Sequence, residues 1–350
     1  MITMTLDAAR IKANALRKAI GDVVLGRNDD ITFLLTALLA NGHILLEDFP
    51  GSGKTLMAVR LAEAISDDDK EEDYDIRPFQ RVQGTPDLFP SDIIGSERLN
   101  TVTREIQFEH GPIFAYVFLL DEINRAPAKV QSACLEAMAE RQVTVGKQQY
   151  KLSKLFFVIG TQNPLDQKGT YELPAAQLDR FLFKRVLKPI DENSERTVLL
   201  NSHKPIDKSA WTHKILSKGD ILAMQEVIAS DIAVEGEIIE LLLGMAAAVD
   251  RRVDGRPDAK GVVPVEWERL KRGSRPSTRS LKKLMDALRA HAFLRGDEKV
   301  ITADVRAVAG DFFRHRLFPV KPLDNLQMNA LIDGIVKEAI ECRQKAGLDY

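Results

Sequence analysis

The sequence predicts an α/β fold followed by a smaller all-helical domain. Three observations point there. Up to about residue 190, short apolar runs alternate with stretches of helical periodicity. Those runs are rich in β-branched and aromatic residues and stop abruptly at polar groups, as buried parallel strands do. After Leu187-Lys-Pro-Ile190 only helical spacing remains. Alternating strands and helices call for a parallel sheet covered by helices. A chain of 350 residues has room for two domains at about 100–200 residues each. We draw the boundary as 1–190 and 191–350.

The elements follow in order. Residues 8–40 read as helix with a break at Gly21–Asn28. The run His43-Ile-Leu-Leu-Glu47 is a strand, closed by Asp48-Phe-Pro-Gly-Ser-Gly-Lys-Thr55. Helix resumes over Met57–Ile65. Residues 66–75 form an acidic block that reads as a solvated loop. Ala115–Leu120 is a strand ending at Asp121-Glu122, Gln131–Arg141 an amphipathic helix, and Leu155–Gly160 a strand ending at Thr161-Gln-Asn163. Beyond 192, apolar residues recur at helical spacing, as in Ile238/Leu241/Leu242/Met245. Residues 250–277, rich in Arg, Asp, Gly and Pro, read as a loop or partly disordered.

Composition excludes several classes. The net charge of −2 provides no global basic field for nucleic acid. Two cysteines, Cys134 and Cys342, make neither a disulfide framework nor a zinc cluster, so we expect reduced thiols in the cytoplasm. The first twenty residues lack the apolar core of a signal peptide. The apolar runs Ile31–Ala40 and Ile238–Val249 fall short of the ~18–20 residues that span a bilayer, and read as buried helices.

Strand, glycine loop and helix in that order make a phosphate site. Bound phosphate needs several backbone N–H groups converging at a helix N-terminus, and side chains at Gly51 and Gly53 would block it. Lys54 supplies positive charge to the β- and γ-phosphates, and Thr55 a hydroxyl to Mg²⁺. Asp48 stands where the usual motif has its first glycine. The second signal, Asp121-Glu122, lies about 70 residues further on, at the strand end where ligands bind in open α/β sheets. Asp121 suits the hydrated metal, and Glu122 can polarise an attacking water. Asn163 offers a neutral amide near the γ-phosphate. Arg125, Arg180 and Arg279 are candidates for stabilising charge in phosphoryl transfer.

At these residues the chain resembles the MoxR family of AAA+ ATPases. The strings that carry the likeness are Gly42-His-Ile-Leu-Leu-Glu47 with its phosphate loop, Thr85-Pro-Asp-Leu-Phe-Pro-Ser-Asp-Ile93, Gly111-Pro-Ile-Phe114 and Asp121-Glu-Ile-Asn-Arg-Ala-Pro127. Further strings are Gly160-Thr-Gln-Asn-Pro164 and Leu173-Pro-Ala-Ala-Gln-Leu-Asp-Arg-Phe181. The likeness is dense to about 190, thin to 272, and returns at Pro276-Ser-Thr-Arg279. It implies an AAA+ P-loop core with a helix-2 insert, and a helical lid. It implies ATP/ADP and Mg²⁺ as ligands, with Pro50, Gly51, Ser52, Gly53, Lys54, Thr55 and Leu56 in Walker A and Asp121 and Glu122 in Walker B. Asn163 takes the sensor 1 place, Arg180 the arginine finger, and Arg279 sensor 2, with Arg275 as the fallback. Gly26 falls where such proteins contact adenine. The insert, about Asp92–His110, reads as a hairpin with its turn near Asn100–Thr103.

The same resemblance implies a homo-oligomeric ring, expected to be a hexamer. It also implies a protein substrate or a co-protein with a von Willebrand factor A domain. Two other functions compete. A metabolic kinase would leave Asn163 and Arg180 without purpose. A DNA-acting motor could use the nine Arg and Lys within 251–279, but these are interleaved with acids around one aromatic, Trp267, as in a solvated loop.

Overall fold

The computed structural model describes residues 4–47, 52–66, 76–99, 101, 104–146, 148–163, 171, 173–201, 215–258 and 260–345. The acidic block 67–75 lies outside them.

Thr5 opens α1 (Leu6–Gly21), its hydroxyl accepting the Ala8 N–H. Ala9, Ala13, Leu16 and Ile20, three or four apart, form the buried stripe. After the expected break comes α2 (Asn28–Leu39), buried on most sides. Strand β1 (Ile44–Glu47) leads through the phosphate loop into α3 (Lys54–Glu63) and the two-residue β2 (Ile65–Ser66). Strand β3 (Arg77–Gln83) is followed by α4 (Pro90–Ile94) and the antiparallel hairpin of β4 (Gly95–Leu99) and β5 (Ile106–His110), the insert expected from sequence. Then come β6 (Ala115–Asp121), a 3-10 turn over Ile123–Arg125, and α5 (Ala128–Glu140). A second hairpin, β7 (Gln142–Val145) with β8 (Gln148–Lys151), precedes β9 (Phe157–Gln162). Short α6 (Ala175–Leu178), β10 (Phe183–Val186), α7 (Glu192–Leu200), β11 (Leu216–Ser217) and α8 (Lys218–Asp231) follow.

The central sheet has the order β10-β1-β9-β6-β3. The pairs β1–β9, β9–β6 and β6–β3 are parallel. Every residue of β6 is buried, whereas β3 at the edge has only half-buried and exposed positions. Phe118, Leu120, Val158 and Leu45 pack with Ile93, Val130, Leu135 and Phe181 in one core. β9 lies between the phosphate-loop strand and β6, so three loops open at the same carboxyl edge.

The chain forms two compact units. One comprises residues 1–181 and 185–227, the other 182–184 and 228–350. The segment from 191 to 227, which we assigned to the helical domain, therefore groups with the sheet. It includes β11, which pairs in parallel with β2 although we expected no strand there.

The second unit carries α9 (Gly236–Asp254), α10 (Thr278–Arg295), α11 (Thr302–Phe313) and α12 (Asn325–Lys345). Helix α9 runs to Asp254, so the loop we placed at 250–277 starts later, and Glu266–Glu268 within it is a 3-10 turn. Arg251 and Arg252 at the end of α9 bind Glu338 of α12, Arg251 at 2.6 Å. Asp304 is fully buried and multiply bonded. Its oxygens meet His291 Nδ1 at 2.7 Å, Arg295 Nε and Nη2 at 3.0 and 2.8 Å, and the Ile301 N–H at 2.9 Å. Burial alone would raise its pKa, but the hydrogen bonds from His291, Arg295 and the Ile301 N–H hold it below the ordinary value.

Candidate active site

The phosphate loop ends at Gly53, the N-cap of α3, with φ of 87°. The first N–H groups of α3 have no partner within the helix, and glycine takes the left-handed conformation at its start without strain. Lys54 begins the helix, and its Nζ lies 3.2 Å from Ser52 Oγ. Pro50 and Gly51 lie outside the described residues.

Across the cleft β6 delivers the acid pair. Asp121 is buried, and both its oxygens are engaged. The Thr161 hydroxyl donates to Oδ1, Thr55 Oγ1 donates to Oδ2 at 3.3 Å, and Arg81 Nη2 donates to the same Oδ2 at 2.7 Å. The Thr161 oxygen in turn accepts the Glu122 N–H at 2.8 Å. One hydroxyl on β9 thus fixes both acids. Glu122 sits in the left-handed region with φ of 53°, which turns its carboxylate away from the strand line. Its Oε2 meets Arg125 Nε at 2.9 Å.

Close packing tightens this corner. The Gly84 N–H donates to the Asp121 carbonyl at 2.6 Å. A Cβ at Gly84 would come within 2.3 Å of the Glu122 carbonyl oxygen, so no side chain fits there. Gln131, fully buried on α5, points its amide nitrogen at the carbonyls of Ile123 and Ala126, both at 3.1 Å, which anchors the turn after Glu122. Nearby, Asn124 Nδ2 reaches the Asn163 carbonyl at 3.4 Å.

A 390 Å³ cavity collects these groups. Its walls hold Ser52, Gly53, Lys54, Thr55 and Leu56 on one side, and Arg81, Asp121, Glu122, Thr161 and Asn163 on the other. A hydroxyl and carboxylates are hard oxygen donors suited to Mg²⁺. Among the described residues no three His, Cys, Asp or Glu side chains gather into an all-protein metal cage.

Gly26 and Arg180 are not among the residues lining this cavity. Gly26, with φ of 70°, ends the turn before α2, and a Cβ on it would meet Ser194 of α7 at 2.8 Å. Arg180 is half-buried in the turn after α6, its N–H donating to the Gln177 carbonyl at 3.2 Å. Arg279 is exposed in the first turn of α10, in the second unit. The fallback, Arg275, is held by Asp250 at 2.5 Å. Sequence reasoning missed Arg81, Thr161 and Gln131. A signal for Arg81 was present, since Arg-Val-Gln83 alternates polar and apolar just before the Thr85-Pro-Asp-Leu-Phe string.

Comparison with known proteins gives the family. Residues 43–183 match the model of the ATPase family associated with various cellular activities, and residues 275–335 match the AAA lid domain. Chaperone MoxR1 of Mycobacterium tuberculosis is 35% identical over 334 residues, covering 94% of this chain and 80% of that protein. This chain belongs to the MoxR family of AAA+ ATPases. Protein MoxR of Paracoccus denitrificans is 29% identical, with 92% of each chain covered. The uncharacterized YeaC of Bacillus subtilis is 37% identical with 91% of each covered. The crystal structure of a candidate ATPase from Cytophaga hutchinsonii superposes with a TM-score of 0.77 at 32% identity, covering 95% of this chain and 96% of that one. As a MoxR-family member the chain is an ATPase with an AAA core and an AAA lid region. No helix among the described residues is long and apolar enough to cross a membrane.

Proposed function

We propose that this MoxR-family ATPase couples Mg²⁺-dependent hydrolysis in an oligomeric ring to the remodelling or maturation of a protein partner. The observation that carries the catalytic half is the single cavity shared by Lys54, Thr55, Asp121, Glu122 and Asn163. Lys54 and the N-terminus of α3 bind the phosphates. Thr55 and Asp121 would hold Mg²⁺, which offsets charge on the β- and γ-phosphates when bound. Glu122 takes a proton from the attacking water, and Thr161 holds its backbone at the depth set by Asp121. Asn163 orients the water or the γ-phosphate by hydrogen bonding without adding charge.

Arg180 completes the site of a neighbouring subunit, and Arg279 reaches the nucleotide of its own subunit from the lid. Gly26 packs where adenine enters. The ring is a hexamer by family resemblance, and the enzyme works in the cytoplasm. The protein partner rests on resemblance to relatives, of which one is called Chaperone MoxR1. A von Willebrand factor A domain co-protein fits the same resemblance. The β4–β5 hairpin supports an interaction role, because hydrolysis does not need it and it exposes Leu99 opposite Ile106.

Mixing subunits tests the trans arrangement. Arg180→Ala should lower turnover by about 10³–10⁵ while nucleotide still binds. Arg180→Ala and Lys54→Ala subunits, each inactive, should regain partial hydrolysis when mixed, since some interfaces then pair an intact loop with an intact finger. Verified mixed rings without any recovery would sink the assignment.

A further inference from the structure

The Arg81 contact to Asp121 is one that phosphate-loop chemistry does not require. Arg81 projects from the edge strand β3, and the same Nη2 that meets Asp121 Oδ2 at 2.7 Å lies 3.2 Å from Gln83 Oε1. The two partners are held very differently. The Asp121 side chain is 10% exposed, and that of Arg81 is 47% exposed. The carboxylate is fixed by Thr161 and Thr55, while the cation reaches it from the solvent side.

The oxygen that Arg81 occupies is the one Thr55 also touches, and Thr55 with Asp121 is the pair suited to Mg²⁺. A guanidinium and a divalent ion crowded onto one carboxylate oxygen would repel each other. We propose that Arg81 is a built-in counter-cation that neutralises Asp121 when the metal is absent and competes with Mg²⁺ for it. Arg81 is then a positioning residue that sets how much Mg²⁺ the site demands. This rests on the reading of Thr55 and Asp121 as the metal-holding pair. Arg81 lines the cavity itself.

The device also explains why an acid so little exposed to water is tolerable before ligand arrives. An unpaired buried carboxylate would be costly. An ion pair half open to water is weak enough to be exchanged.

The experiment follows the Mg²⁺ dependence of binding of a fluorescent ADP analogue, with no hydrolysis involved. It compares the full-length wild type with Arg81→Gln, Arg81→Lys and Arg125→Gln. The half-saturating Mg²⁺ concentration should fall about two- to fivefold in Arg81→Gln, the range an exposed ion pair supports. Arg81→Lys, which keeps the charge, should stay within about twofold of wild type. In EDTA the thermal midpoint of Arg81→Gln should drop, and its rise on adding Mg²⁺ and ADP should exceed that of wild type. An unchanged or higher Mg²⁺ requirement in Arg81→Gln overturns the proposal. So does an equal fall in Arg125→Gln, which would make the effect a general field, or an equal fall in Arg81→Lys. A wild type whose ADP binding ignores Mg²⁺ altogether would instead count against the metal-holding pair.

Discussion

Two buried aspartates, one in each unit, show how similar chemistry serves different ends. Asp121 and Asp304 are both shielded from water, and each meets an arginine. The partners of Asp304 all come from Ile301 and the facing helix α10, and its caps close on themselves. The partners of Asp121 come from three separate elements, α3, β9 and β3, and meet at a cavity. A closed local network stabilises one geometry. A network assembled from distant segments around an open space leaves a place for a ligand, and its cation can be exchanged.

The comparison can be broken most sharply at the acid pair. Glu122→Gln should lower turnover by about 10²–10⁴ and leave nucleotide binding in place, because an amide cannot accept the water's proton. Steady-state hydrolysis alongside equilibrium binding measures this, and wild-type turnover would remove Glu122 from the chemistry.

Next comes the contrast in stability. Asp304→Asn should cost about 3–5 kcal/mol, the penalty for opening a buried paired network. Asp121→Asn should cost metal-free protein under about 1 kcal/mol, since its cation is half in water. Chemical denaturation of both variants checks the difference. The pH limb has a definite sign. The folded pKa of Asp304 is depressed, so its contribution is complete above the ordinary carboxyl value of about 3.9 and is lost as pH falls through the lower folded value. Asp304→Asn should lack that acid limb.

A more local effect is expected at Gly84. Alanine there meets a backbone oxygen, which cannot rotate away, so a loss of about 1–3 kcal/mol should accompany a shift of the acid pair. Thermal unfolding and turnover should both fall. A change in stability alone would show that the acids keep their place.

Much of this was legible in the sequence because buried parallel strands advertise themselves. Ala115–Asp121 and Phe157–Gln162 were visible as apolar runs ending in polar residues, within two residues of their observed limits. The insert was found as a hairpin, and the break between α1 and α2 fell as expected. Strand β3 stayed hidden because Arg-Pro-Phe-Gln-Arg-Val-Gln has no apolar run, as an edge strand with one wet face allows. Arg81 was lost with it. The second hairpin, β7–β8, is as polar and was equally silent. Thr161 was seen only as the residue after a strand, because its double role depends on β9 lying beside β6, a pairing far apart in sequence. The division between the units was also invisible, since α7 and the first part of α8 keep helical spacing while grouping with the sheet.

The left-handed backbone at Glu122 has an evolutionary cost. A residue with a side chain meets a steric cost of about 1–2 kcal/mol there, which glycine, having no Cβ, escapes. A library screened for heat resistance alone would therefore be drawn to glycine at this position, discarding the carboxylate proposed to activate water. Thermal fitness and turnover pull in opposite directions at a single codon, and keeping glutamate there requires selection on activity.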